Sequence, residues 1–175
     1  MSNLTAPITP EHYRAVMGRL PTGVVAITGV DDDGNDLGFI VGTFGSLSLE
    51  PPIVTFSVGH TSSSWPRIRR RQVFTANVLS STQVGECRAL AGKGPGKFDS
   101  VAYTAGPLGA PRLRDSIAWI DCTVQAEVLV GDHFMVIGTV GAMEAADGEP
   151  LLFQAGQFGT YQPLVPVPSP AATGV

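Results

Sequence analysis

The chain has 175 residues, 43% of them hydrophobic, and this length suits one domain with a substantial core rather than two. Fifteen acidic residues against eleven basic ones give a formal net charge of −4 without a long basic stripe, which argues against a nucleic-acid-binding protein. No segment approaches the roughly 20 apolar residues of a membrane span, so no membrane association is expected. Two cysteines without a CxxC pair, and no secretory signal pattern, favour a cytoplasmic protein.

The beginning of the sequence predicts one helix after a flexible N-terminal segment, residues 1–8. Thr9 is a suitable N-cap and Pro10 suits the first helical position. Apolar side chains then recur at helical spacing and form a single stripe that must pack on another surface. Pro21 and Gly23 are expected to stop the helix. The residues of the stripe are Tyr13, Val16, Met17 and Leu20.

Paired strands are predicted next. Val24–Val30 is rich in β-branched residues and Asp31–Asp36 is a turn signal, so the two form the start of a hairpin. The second arm carries several glycines, which indicate either a bend at a barrel corner or a ligand that lies against the backbone. After Pro51, the run Ile53–Val58 resumes as a short buried strand. The glycines are Gly38, Gly42 and Gly45.

A run of small hydroxyl residues, 61–64, stands directly before Trp65-Pro66 and supports two compatible interpretations. It predicts a capped surface helix whose arginines, between residues 67 and 71, form a solvated basic face. It also predicts a phosphate-binding site, because the amides at a helix N-terminus and several hydroxyls would face the same ligand.

The central part of the chain predicts a strand over Phe74–Leu79 and a helix over residues 84–91, capped by Ser80–Thr82. A glycine-rich loop follows, but it does not match a Walker A loop because Phe98 follows Lys97 where that motif needs serine or threonine. The loop therefore remains a candidate for bringing a basic and an aromatic side chain to a ligand.

The clearest alternation of the sequence runs from residue 117 to 130 and predicts a long half-buried antiparallel strand with Cys122 on its apolar face. Gly131-Asp132 predicts a tight turn, after which His133–Met143 returns as the second arm. Residues 151–161 add a short strand or two. The resulting domain spans residues 9–162, and residues 163–175 are expected to form a flexible C-terminal tail.

Many strands at hairpin spacing, without a βαβ pattern, predict a mainly β (α+β) fold built on an antiparallel barrel with peripheral helices. The histidines are too dispersed for a metal motif, and no side chain stands out as a catalytic acid, base or nucleophile. His133 at a hairpin turn is either a solvated residue or a side chain that faces a cleft. A barrel with a phosphate site and no catalytic side chain suits flavin chemistry, because there the cofactor itself transfers hydride.

Seven segments of the chain together resemble the flavin reductase-like family, the split-barrel reductase components of two-component flavin monooxygenases. They occur in the family's order over about residues 10–161. The segments are Leu20–Val24, Gly38-Phe39, Ser46–Pro52, Phe74–Leu79, Lys97-Phe98, Gly131–His133 and Pro150–Phe153.

The resemblance implies a homodimeric split β-barrel of the antiparallel Greek-key type that transfers hydride from NADH or NADPH to FMN or FAD. Reduced flavin would then pass to a partner oxygenase. The implied flavin-binding residues are Ile40, Val41, Gly42, Thr43, Ser48, Ser57, Ser63, Ser64, Lys97 and Phe98. Among these, the resemblance implies that the loop Ser57–Ser64 and the pair Lys97-Phe98 hold the phosphate end of the flavin. The implied nicotinamide-binding residues are Thr22, Gly23, His133 and Phe158.

Within this resemblance, Ile40–Thr43 replaces a run of threonine, alanine, asparagine and serine that many relatives carry. Backbone contacts to the flavin are therefore expected here in place of side-chain hydrogen bonds. Two other functions remain on the same type of barrel. One is a non-enzymatic flavin-binding protein for storage or sensing, and the other is a pyridoxamine-phosphate-oxidase-type enzyme.

Overall fold

Three α-helices and one 3-10 helix occur in the part of the chain that the structure, a computed structural model, describes, which is residues 7–164. The expected flexible segments, 1–8 and 163–175, lie almost wholly outside these residues. No helix in the described range is long and apolar enough to cross a membrane, and the cytoplasmic location stays a prediction. The helices are α1 (Pro10–Met17), α2 (Trp65–Ile68), the 3-10 helix (Arg69–Arg71) and α3 (Val84–Ala91).

Antiparallel strands make up the rest of the fold, which is mainly β as predicted. Seven strands form one sheet in the order β3-β2-β6-β9-β10-β5-β4, and two smaller sheets have the orders β1-β11-β12 and β7-β8. The strands are β1 (Thr22–Gly23), β2 (Val25–Val30), β3 (Asp36–Val41), β4 (Gly45–Ser48), β5 (Ile53–Gly59), β6 (Val73–Val78), β7 (Tyr103–Ala105), β8 (Pro111–Leu113), β9 (Ala118–Val130), β10 (His133–Ala145), β11 (Leu152–Gln154) and β12 (Gln157–Gly159).

The seven-stranded sheet curls around an apolar core. Phe39 of β3 and Phe56 of β5 belong to strands far apart in the sheet order, yet their ring centroids lie 6.1 Å apart. Trp65 and Phe74 complete the aromatic centre, with the Phe56 ring 5.4 Å and 5.3 Å from them in edge-to-face arrangements that suit aromatic packing. A second apolar cluster, which includes Leu90 and Leu113, fills the space on the α3 side.

Of two predicted N-caps, one is confirmed and the other is wrong. The Thr9 cap is confirmed, because its Oγ1 accepts a hydrogen bond of 3.2 Å from the His12 backbone N–H. The predicted cap of α3 by Ser80–Thr82 is wrong, because Gln83 occupies the N-cap position. The Gln83 side chain is instead buried and accepts hydrogen bonds from the Ser80 N–H and the Ser116 hydroxyl.

The long strand predicted between residues 117 and 130 is confirmed as β9, and Cys122 is fully buried as expected. Its burial raises the thiol pKa to about 12. The predicted alternation fails at both ends of the strand, however. Asp121, on the side predicted to be polar, is fully buried. Val128 and Val130, on the side predicted to be apolar, are 50% and 56% exposed.

Asp121 is buried because the β7-β8 hairpin, which the sequence analysis missed, covers it with an arginine. Arg112 Nε and Nη2 donate hydrogen bonds of 3.0 Å and 2.5 Å to Asp121 Oδ2. The Thr75 hydroxyl donates one of 2.8 Å to Asp121 Oδ1. All the oxygen atoms of this carboxylate are therefore paired, which is the condition for burying its charge.

We predict that Asp121→Ala lowers the free energy of unfolding by about 3–5 kcal/mol, because it leaves the Arg112 guanidinium without its buried partner. Glu144→Gln is the matched control, since Glu144 binds the same guanidinium at 2.7 Å but its side chain is 63% exposed. That control should cost less than about 1 kcal/mol. Urea unfolding measures both changes, and equal losses in the two variants would contradict the importance of the buried pair.

Candidate functional site

An apolar cavity of about 210 Å³ lies where the end of β3 meets the small β1-β11-β12 sheet and α3. It brings together residues that the sequence analysis assigned to two different ligands, the flavin and the nicotinamide. The residues that line it are Thr22, Gly23, Val24, Ile40, Val41, Gly42, Cys87, Ala91, Phe153 and Phe158. None of these side chains is charged, so the cavity suits an uncharged flat group.

The alternation of β3 explains why Ile40 lies at this cavity. Phe39 and Val41 point into the curled sheet, so Ile40 points to the opposite side and packs with the apolar cluster around α3. Gly42, two residues after Ile40, lines the same cavity. A Cβ on Gly42 would lie 2.8 Å from Thr22 Oγ1, so the glycine allows Thr22 to approach the backbone.

Gly38 has a similar packing role on the same side of β3. A Cβ there would lie 3.0 Å from Leu90 Cδ2 and 3.3 Å from the Phe98 ring. The expectation that this glycine marks a ligand against the backbone or a barrel corner is therefore corrected at Gly38. Its side is filled by α3 and by the loop that follows α3.

Sequence reasoning missed four residues of the cavity: Val24, Cys87, Ala91 and Phe153. Cys87 is 4% exposed, and burial raises the pKa of its thiol, so it contributes a neutral apolar wall. The Phe153 ring packs 5.3 Å from the Phe158 ring and forms the opposite wall with it. Helical spacing placed Cys87 in α3, but only the tertiary fold reveals which side of α3 meets the cavity.

A polar groove of about 710 Å³ lies at the other end of β3. It brings together four of the residues that the resemblance assigned to the phosphate end of a flavin, namely Ser63, Ser64, Lys97 and Phe98, but not Ser57. The rest of its lining comes from the β2-β3 turn, from Arg67 and from the glycine-rich loop. The groove lining is Gly34, Asn35, Asp36, Leu37, Ser63, Ser64, Arg67, Gly94, Pro95, Gly96, Lys97, Phe98 and Asp99.

Lys97 holds the glycine-rich loop against the rest of the domain. Its Nζ donates hydrogen bonds of 3.2 Å to the Gly38 carbonyl and 3.0 Å to the Leu90 carbonyl. Burial lowers the pKa of this ammonium group. An ammonium has three donors, so one donor is left for a ligand in the groove. Phe98, next to it, packs edge-on against the Tyr103 ring at 5.5 Å.

The predicted helix after the hydroxyl run is present but short, and its cap differs from a simple N-cap. The α-helix there has only four residues, and Ser64 at its N-cap position makes no capping bond with its side chain. The Ser62 hydroxyl instead accepts a hydrogen bond of 3.2 Å from the Trp65 N–H. Any phosphate binding at this place therefore depends on side chains and not on a helix dipole.

The arginines after Trp65 are exposed or partly exposed, as the sequence predicted, but three of them have acidic partners that offset their charge. Arg67, Arg69 and Arg70 form ion pairs with Asp31, Glu127 and Asp32 in that order. Burial of Asp31 raises the pKa of its carboxyl, but hydrogen bonds from Asn35 and the Arg67 guanidinium outweigh this and lower the pKa to about 2. Asp31 therefore stays ionised, and Arg67 keeps a fixed partner beside the groove.

Thr43 and Ser57, two further residues assigned to the flavin, contact each other across neighbouring segments. Thr43 Oγ1 accepts a hydrogen bond of 2.9 Å from the Ser57 backbone N–H. Neither residue lines either of the cavities described above, although Thr43 directly follows Gly42 of the apolar cavity. Ser48, at the end of β4, pairs with Ile53 and lines neither cavity.

His133 lies at the tip of the β9-β10 hairpin and does not line the apolar cavity with Thr22, Gly23 and Phe158. Its register partner is Gly59, two residues along β5 from Ser57. The His133 Nδ1 lies 2.7 Å from Asp132 Oδ1, and this hydrogen bond is the main reason that the pKa of Asp132 is lowered. The imidazole therefore keeps its Nε2 for another partner.

The two cavities fit the two halves of an amphipathic ligand. The apolar cavity suits a flat ring system, and the groove supplies hydroxyl and cationic donors that suit a phosphate group. A flavin nucleotide combines those two chemistries. Within residues 7–164, no cluster of three or more His, Cys, Asp or Glu side chains could hold a metal ion.

Comparison with known proteins gives close relatives over nearly the whole chain. Residues 17–162 match the flavin reductase like domain. A flavin reductase from Pseudomonas putida is 41% identical over 155 residues, which cover 88% of this chain and 91% of the relative. The reductase subunit HsaB of a flavin-dependent monooxygenase from Rhodococcus jostii (strain RHA1) is 40% identical over 164 residues, 93% of this chain and 84% of the relative.

Solved structures agree with these sequence relatives. Nitrilotriacetate monooxygenase component B from Mycobacterium thermoresistibile has a TM-score of 0.86 and 34% identity, and the match covers 91% of this chain and 90% of that one. The NADH:FAD oxidoreductase SgcE6 of Streptomyces globisporus C-1027, in complex with NAD and FAD fragments, also has a TM-score of 0.86, with 28% identity over 94% of this chain and 100% of that one. The chain therefore belongs to the flavin reductase-like domain family.

Proposed function

We propose that this protein is an NAD(P)H:flavin oxidoreductase that binds FMN or FAD and supplies reduced flavin to a partner monooxygenase. The observation that carries the proposal is the apolar cavity at the end of β3. There, Ile40 and Gly42, implied for the flavin, share one lining with Thr22 and Phe158, implied for the nicotinamide. Relatives named as flavin reductases and as monooxygenase reductase subunits support the same activity.

A bound flavin supplies the hydride acceptor and the electron store, so the protein's part is binding, orientation and exclusion of water. The apolar lining contributed by Ile40, Phe153 and Phe158 would exclude water from the reacting groups. Ser63, Ser64 and Lys97 would hold the phosphate end in the groove. The lack of an acid or base in the lining of the apolar cavity is compatible with hydride transfer, which needs neither.

The experiment that tests this function is stopped-flow mixing of the purified protein and FMN or FAD with NADH or NADPH. Oxidation of the nicotinamide, followed by its absorbance, supports the oxidoreductase. If neither nucleotide is oxidised with either flavin, while flavin still binds, the protein is a storage or sensor module. Oxidation of pyridoxamine phosphate without a pyridine nucleotide would instead support an oxidase of that type.

We also propose that the curled seven-stranded sheet is a split β-barrel and that two copies of the chain form a homodimer. Two exposed apolar patches support the dimer, since exposed contiguous apolar surface indicates an interaction site. The α1 patch consists of Tyr13, Val16, Met17 and Leu20, and no residue of α1 is buried in the single chain. The hairpin patch consists of Val128, Leu129, Val130 and Met135.

For the hairpin turn, His133→Ala should raise the Michaelis constant for NADH about tenfold or more, because it removes a ring nitrogen free to bind the nicotinamide. Flavin affinity should stay unchanged. His12→Ala, an exposed histidine of α1, is the control. Steady-state kinetics and flavin fluorescence titration give the two constants, and an equal loss of both would contradict the assigned role.

For the groove, Lys97→Met should raise the flavin dissociation constant about tenfold, because it removes a cationic donor but keeps an unbranched side chain. Lys93→Met changes the exposed lysine of the same loop and should leave the constant unchanged. Fluorescence titration measures both variants. An unchanged constant in Lys97→Met would exclude Lys97 from the flavin site.

For the dimer, sedimentation equilibrium should give twice the chain mass of 18.3 kDa. The double variant Val128→Glu with Val130→Glu should dissociate, because the dimer would have to bury two carboxylates on each chain. Lys93→Glu, an exposed charge change outside both patches, serves as the control. A monomeric wild-type protein would contradict the proposal.

A further inference from the structure

The polar groove is larger than one phosphate group requires. Its volume of about 710 Å³ lies in the range of pockets that enclose a whole small molecule. The residues assigned to the flavin phosphate, Ser63, Ser64 and Lys97, form only part of its lining. The remainder, formed by Arg67, Asp36 and the glycine-rich loop, has no role in the function proposed above.

Arg67 is the second cation of the groove and is held in position. Its Nη2 donates to Asp31 Oδ2, and the Asp31 side chain is only 5% exposed. Asp31 is fixed in turn by the Asp33 and Asn35 backbone N–H groups at 3.0 Å and 2.8 Å. A side chain anchored at one nitrogen loses less conformational entropy when its other donors bind a ligand.

Arg67 keeps enough N–H donors to bind a ligand in the groove. The guanidinium has five N–H donors, Asp31 uses one of them, and the side chain is 47% exposed. Its planar group suits two oxygens of a phosphate, whereas the Lys97 ammonium acts as a point charge. The two cations of the groove therefore match two phosphates better than one.

Acceptors complete the groove. Asp36 lies at its rim and accepts a hydrogen bond from the Tyr103 hydroxyl. Carboxylate oxygens accept well from the hydroxyls of a ribose, as acidic residues do in dinucleotide sites. Two cations and two carboxylates, of Asp36 and Asp99, therefore line the groove and supply partners for the phosphates and the ribose hydroxyls of an adenosine diphosphate moiety.

We propose that the groove binds the adenosine diphosphate moiety of FAD, with Arg67 on the phosphate that FMN lacks, so that Arg67 makes the protein select FAD over FMN. This inference rests on the flavin oxidoreductase function proposed above. NADH carries the same moiety. FAD is the assigned source because Arg67 shares the groove with Ser63, Ser64 and Lys97, which are implied for the flavin phosphate.

The experiment compares dissociation constants for FAD, FMN and NADH by fluorescence titration and calorimetry. The wild-type protein should bind FAD about 10- to 100-fold more tightly than FMN, the range that one charge-assisted hydrogen bond or bidentate pair provides. Arg67→Gln should abolish this difference by weakening FAD and leaving FMN unchanged. Arg67→Lys should restore part of it.

Arg70→Gln is the matched control, because Arg70 belongs to the same arginine run but does not line the groove, and its ion pair with Asp32 is exposed. It should leave the FAD-to-FMN ratio unchanged. Thermal unfolding checks that Arg67→Gln is folded. A test that needs no variant adds AMP to the wild-type protein. AMP carries the phosphate assigned to Arg67 but not the phosphate that FMN and FAD share, so AMP should displace FAD but not FMN.

Equal affinity of the wild-type protein for FAD and FMN would overturn the inference and leave the oxidoreductase intact. A loss of both flavins in Arg67→Gln would also overturn it. If Arg67→Gln weakened NADH and kept the FAD-to-FMN ratio, the groove would serve the nicotinamide nucleotide, and the FAD assignment would be wrong. If the wild-type protein bound neither flavin, the proposed function itself would fail.

Discussion

The alternation of one strand, β3, positions almost everything that matters for ligand binding. Its odd-numbered residues, Phe39 and Val41, anchor it in the core of the curled sheet. Its even-numbered positions face α3, where Gly38 accepts the close packing of Leu90 and Phe98 and Ile40 lines the apolar cavity. From Leu37 to Val41 the strand spans about 13 Å, at about 3.3 Å per residue, so the apolar cavity and the polar groove lie at its two ends.

This arrangement couples the packing of the domain to the properties of the site. Leu90 packs in the α3 cluster and its carbonyl also accepts from Lys97, so the same helix end that completes the core fixes the glycine-rich loop. The Asp31 carboxylate likewise closes the β2-β3 turn and orients Arg67. Side chains that are already ordered lose less conformational entropy when a ligand binds. A small domain can therefore obtain affinity from few contacts.

The sequence was sufficient for local structure wherever one periodicity or one turn residue decided the outcome. The Thr9 cap, the turn at Asp31 and the β9-β10 hairpin at Gly131-Asp132 all follow from such signals. It was insufficient for Asp121, because a carboxylate in an alternating strand looks like a solvent-facing residue, and only the fold shows that Arg112, nine residues earlier, covers it. The hairpin that carries Arg112 has strands of only three residues, too short for a period to be visible.

The residues of the candidate site also fall into those that the sequence identified and one that it could not identify. Family resemblance identified Ser63, Ser64, Lys97 and Phe98, and these residues do share one groove. No local pattern could reveal that Arg67 joins them, because its position depends on an ion pair with Asp31, 36 residues earlier in the chain. Its neighbours Arg69 and Arg70 have equal charge but pair with Glu127 and Asp32. The long-range partner of each arginine in such a run therefore decides where its guanidinium lies.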